Sequence, residues 1–129
     1  MTTFAPQLYI KSGTMEVDFY KKAFNAIELR RFSNDDGSIH VAEMSIDGAL
    51  FHFHEESPGK GAFPPEKYNS VTATIGLMVA DPDSVDAVMA SALAAGARQL
   101  SPATSYDYGY RQGEIADPFG HHWLIEAAI

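Results

Sequence analysis

The chain has 129 residues, 46% hydrophobic and 20% charged, enough apolar content for one folded domain with its own core. Its 17 acidic against 9 basic residues give a net charge of −8, which argues against nucleic acid or an anionic membrane as partner. The sequence has no cysteine, so disulfides, thiolate catalysis and zinc–cysteine sites are excluded. No apolar run approaches the roughly 20 residues of a membrane span, and Met1–Pro6 has no leader-like pattern. The expectation is a cytoplasmic domain.

In chain order, Leu8-Tyr9-Ile10 reads as a strand. Residues 14–25 then place Met15, Phe19 and Ala23 on one helical face with Tyr20 and Phe24, and Thr14 is the expected N-cap. Asn34-Asp35-Asp36-Gly37 and Asp47-Gly48 are hairpin turns between alternating stretches, and Leu50–His54 is a strand. The segment from Glu56 to Asn69 holds Pro58, Gly59, Gly61, Pro64 and Pro65 and reads as a linker. The pattern then returns. Leu77-Met78-Val79 is a strand, and residues 84–95 a helix with Val85, Val88, Met89, Ala92 and Leu93 toward the core. Ser84 is its expected cap, and Gly96 stands where a left-handed residue ends a helix. A turn at Asp117–Gly120 precedes a last strand at His122–Glu126.

This is an internal repeat: Leu77 follows Leu8 by 69 residues and Gly120 follows Gly48 by 72. The fold class is therefore α+β, two βαβββ units forming a curved mixed sheet around a cup with helices outside. Unit one spans 4–56, the linker 57–70 and unit two 71–127, in a single domain. Strand alternation sets Phe51 and Phe53 against the helix and leaves His52 and His54 on the other face, as it sets Trp123 and Ile125 against His122, Leu124 and Glu126. A polar second face in both units is a place for a small-molecule ligand. Its expected lining is Gln7, Tyr9, His52, His54, Arg111, His122 and Glu126, with imidazoles for hydrogen bonding or proton transfer, Tyr9 to stack and Arg111 to clamp an anion. Glu43 and Glu114 occupy matching places on the third strands. His121 is expected on the side away from His122, and Trp123 and Phe51 read as core.

Two motifs carry a family resemblance. Val17-Asp18-Phe19-Tyr20-Lys21-Lys22-Ala23-Phe24 is similar to the helix motif, and Asp117-Pro118-Phe119-Gly120-His121-His122-Trp123 to the closing-strand motif, of the vicinal oxygen chelate superfamily. That superfamily holds glyoxalase, bleomycin-resistance and dioxygenase proteins. Tyr108-Gly109-Tyr110-Arg111 leading to Asp117–Gly120 most resembles its PhnB-like branch. The resemblance implies four inward metal ligands, from the first and last strands of each unit. Carried over residue by residue, they fall on Ala5, His52, Thr74 and Leu124, a set with one good ligand. The expectation is accordingly no metal cofactor, with no residue assigned to catalysis. The alternative is a divalent-metal lyase, isomerase or dioxygenase holding Zn, Ni, Mn or Fe through a shifted set, Gln7, His54 and Glu126 beside the vacancy at Gly76. A homodimer is expected, because each unit leaves a sheet edge and one sheet face uncovered.

Overall fold

A computed structural model describes residues 1–129. The first unit comprises β1 (Gln7–Ile10), α1 (Asp18–Phe24), β2 (Ile27–Ser33), β3 (Ile39–Ile46) and β4 (Ala49–Glu55). The second comprises β5 (Thr74–Met78), α2 (Pro82–Ala94), β6 (Arg98–Ser105), β7 (Tyr110–Ala116) and β8 (His122–Ala128). The linker between them makes two short 3-10 turns, Pro58–Lys60 and Pro65–Lys67. Each unit forms one four-stranded sheet, in the orders β1-β4-β3-β2 and β5-β8-β7-β6, with the first pair parallel and the others antiparallel. The α+β class and the two βαβββ units are as expected.

Local chemistry sets the element ends. Asp47 and Gly48 have φ of +48° and +83°, and two successive positive angles make the tight reversal between β3 and β4. The helix expected from Thr14 starts instead at Asp18, because residues 11–17 are held as a loop. The Thr14 hydroxyl donates to the Lys11 carbonyl, and the Thr14 carbonyl accepts from the Ile39 amide. Asn25, at φ +60°, ends α1. The cap of α2 is Asp81 rather than Ser84: its Oδ1 accepts from the Ser84 amide at 2.8 Å and hydroxyl at 2.7 Å, and Pro82 opens the first turn.

Both units contribute to one core of 22 buried residues. Phe24 and Phe51 lie 4.7 and 5.8 Å from Trp123 by ring centroids, and Tyr20 lies 4.6 Å from Phe53. Phe51 and Trp123 are repeat-related and both point toward the helices, so the helix sides of the two sheets converge. Asp117 joins the units. Its carboxylate accepts from the Tyr20 hydroxyl, the Trp123 indole and the amides of Phe119 and His121, at 2.7 to 3.0 Å. Burial, then the neighbouring Asp117 carboxylate and its hydrogen bond, push the Tyr20 phenol well above its ordinary range.

Candidate functional site

Strand register fixes which polar side chains are neighbours. In unit one Gln7 lies beside His52, and Tyr9 beside His54. In unit two Thr74 lies beside His122, Gly76 beside Leu124 and Met78 beside Glu126. The sequence repeat is therefore also a repeat in space, with Gln7/His52 matched by Gly76/Leu124 and Tyr9/His54 by Met78/Glu126. All these residues occupy the sheet faces opposite the helices, where His52, His54, His122 and Glu126 are half-buried and Gln7 is exposed.

On the unit-one face the Tyr9 and His54 rings meet edge to face at 5.7 Å, and His54 and His40 do so at 5.1 Å. His40 Nδ1 lies 2.6 Å from Glu55 Oε2, and Asn34 donates to the same oxygen. Those two bonds hold the Glu55 carboxyl below its usual range. Glu43, beside His52, is held low by a bidentate bond from Arg30. On the unit-two face Gln112 donates to Glu126 at 3.0 Å and accepts from the Tyr108 hydroxyl. Glu114 lies beside Leu124 on that face.

Arg111 corrects the expected set. It alternates with Gln112 and so points to the helix side, where its guanidinium makes two bonds to Asp86 of α2 and a third to Ser105. The Arg111 bond holds Asp86 below the usual carboxylate range. His121 likewise leaves the polar face, its Nε2 lying 2.8 Å from the Tyr9 carbonyl.

The structure does not gather the remaining six residues into one cavity. A cleft of about 350 Å³ is lined by Gln7, Tyr9, Phe63, Tyr68, Ile75 and His121. A larger one, about 710 Å³, lies between the end of α1, the β3–β4 turn, β5 and α2. No hydrogen bond, ion pair or ring contact joins the polar face of one sheet to that of the other.

Register also tests the donor set for a divalent metal. Ala5 precedes β1, and the β1 neighbour of His52 is Gln7; the β5 neighbour of Leu124 is Gly76, not Thr74. One level thus offers Gln7 and His52 from unit one and nothing from Gly76 and Leu124. The next offers Tyr9, His54, Met78 and Glu126, with one Glu126 oxygen taken by Gln112. The shifted set of Gln7, His54 and Glu126 spans both levels. The first level lacks two of its four donors, and the second sets the phenol of Tyr9 and the thioether of Met78 beside His54 and Glu126, so the donors present do not match the superfamily's quartet.

Residues 7–125 match the model of the Glyoxalase/Bleomycin resistance protein/Dioxygenase superfamily. The chain belongs to that superfamily. An uncharacterized protein of Mycobacterium tuberculosis is 36% identical over 124 residues, covering 94% of this chain and 71% of the relative. A counterpart in Mycobacterium bovis is 36% identical over the same length, with 80% of it covered. Among solved structures, TioX from Micromonospora sp. ML1 superposes with a TM-score of 0.71 at 19% identity, over 99% of this chain and 97% of that one. The fosfomycin resistance protein FosX from Listeria monocytogenes gives 0.71 at 17% identity, over 100% and 94%. At those identities the likeness is one of fold.

Proposed function

We propose that this superfamily member binds a small organic molecule on the polar faces of its two sheets, without the superfamily's metal quartet, in the manner of a bleomycin-resistance-type binding protein. The observation that carries this reading is the row of half-buried Tyr9, His52 and His54 with exposed Gln7 level beside His52, set behind buried Phe51 and Phe53. Those polar side chains do nothing for the core, yet they lie level on neighbouring strands where one ligand touches several of them. The broken donor set at Gly76 and Leu124 supports a metal-independent site.

The two faces diverge around a shared core, so a closed lining needs unit one of one copy and unit two of another. A homodimer with two such sites is accordingly part of the proposal, as are the PhnB-like branch and a cytoplasmic location. A thermal-shift screen of metabolites tests it, since a ligand of the native state raises stability by RT ln(1+[L]/Kd). The expected hit loses its shift in His52→Ala while the unliganded melting temperature holds. A hit that His52→Ala and His122→Ala both bind like the parent overturns the assignment.

A further inference from the structure

We infer that the cleft between β1 and the linker takes a neutral, flat lactam, a ring carrying an N–H beside a C=O, paired with the free backbone edge of β1. Strand parity sets that edge. The Pro6 carbonyl accepts from the His52 amide and the Ile10 carbonyl from the Glu56 amide, so the even residues of β1 turn their backbone toward β4. Gln7 and Tyr9 turn theirs the other way, and β1 is an outer strand with no neighbour on that side. His121 Nε2 bonds to the Tyr9 carbonyl there, at 2.8 Å. The N–H and C=O of Gln7 and the N–H of Tyr9 have no protein partner.

His121 and Gln7, Leu8 and Tyr9 all line the cleft of about 350 Å³, so the cleft runs along this edge. Its other wall is the linker, with Phe63, Pro65 and Tyr68. That wall is docked, since the Glu66 amide donates to the Phe119 carbonyl at 3.0 Å and Ser57 bridges to Ala62. Edge and wall belong to one chain. The site is therefore complete in a single copy, whereas the side chains of Gln7 and Tyr9 serve the polar face.

None of the 14 lining residues is Asp, Glu, Lys or Arg, in a chain where 20% are. Lys67 stays outside the lining, its ammonium 3.9 Å from the Phe63 ring centroid. An ion in the cleft would leave water without meeting a counter-charge, so the site selects neutral molecules. An outward strand residue presents its N–H and C=O side by side, the pair that a neighbouring strand would exchange. A lactam offers the complementary pair in one plane and meets both groups of Gln7 together. Its apolar ring is left to the proline and aromatic wall.

The probes are carbostyril, a bicyclic aromatic lactam, its N-methyl derivative, and the anion quinaldate, titrated into the full chain and followed by amide chemical shifts. Carbostyril is expected to shift the Gln7 and Tyr9 amides and to bind about fivefold more tightly than the N-methyl compound, the worth of one hydrogen bond. Quinaldate should bind more weakly than either. Gln7→Pro removes the edge N–H without touching the β1–β4 ladder and should weaken carbostyril by a similar factor. Tyr68→Ala, at an exposed linker position, should weaken both neutral probes. Equal affinity for carbostyril and its N-methyl derivative overturns the inference, as does quinaldate binding as tightly as carbostyril or an unchanged carbostyril affinity in both variants. A metabolite hit that depends on His52 concerns the polar faces, and it stands whichever way these titrations fall.

Discussion

The Tyr20 hydroxyl donates to Oδ2 of Asp117 across 2.7 Å, tying the helix of unit one to the last turn of unit two. Asp117 holds two backbone amides of its own turn and the Trp123 indole at the same time. The Asp-Pro-Phe-Gly turn is therefore a structural clamp between the repeats, whatever the ligand. Tyr20→Phe should cost about 2 kcal/mol, a hydrogen bond to a carboxylate, and Asp117→Ala more than 3, since it strands several buried donors. Urea denaturation compares the two, and equal costs would contradict the clamp.

The same pair makes a pH prediction. The folded-state pKa of Tyr20 is raised, so its contribution is fully present below the unfolded value near 10. Above that pH the unfolded chain loses the proton that the native chain keeps. Stability should then fall by about 1.4 kcal/mol per pH unit until the folded pKa is reached. Tyr20→Phe should show a slope smaller by one proton between pH 10 and 11, and identical slopes would refute the assignment.

Gly120 has φ +90°, and a Cβ there would stand 2.8 Å from the Glu66 backbone nitrogen. The Glu66 amide donates to the Phe119 carbonyl, so the linker is docked on this turn. Gly120→Ala should destabilise by about 1–3 kcal/mol through backbone strain and undocking. Gly59→Ala, with ordinary φ and open space around it, is the control expected to stay within about 0.5 kcal/mol.

Association provides a further prediction. Light scattering at micromolar concentration should give twice the 14.1 kDa chain mass, little changed by salt. A monomer mass there would remove the paired-face arrangement.

The repeat was legible because Gly48 and Gly120 mark equivalent turns, and register confirms it down to the pairs Gln7/His52 and Gly76/Leu124. Alternation also separated His52 and His54 from Phe51 and Phe53. The same rule, applied along β7 from Gln112 and Glu114, would have sent Arg111 to the helix side. The start of α1 was hidden because Thr14 bonds to β3, a contact that helical periodicity does not encode. The role of Asp117 was hidden for a similar reason, since Tyr20 lies 97 residues away in sequence. That the two polar faces diverge follows from the meeting of Phe51 and Trp123, and no local pattern carries it.

The most direct test of the central claim is calorimetric titration of a screened ligand into chelator-treated protein, beside the same titration into His52→Ala. The account predicts undiminished affinity after metal removal and loss of binding in the variant, with its melting temperature unchanged. Binding that vanishes with chelator, returns with one divalent ion per chain and ignores His52 would contradict it.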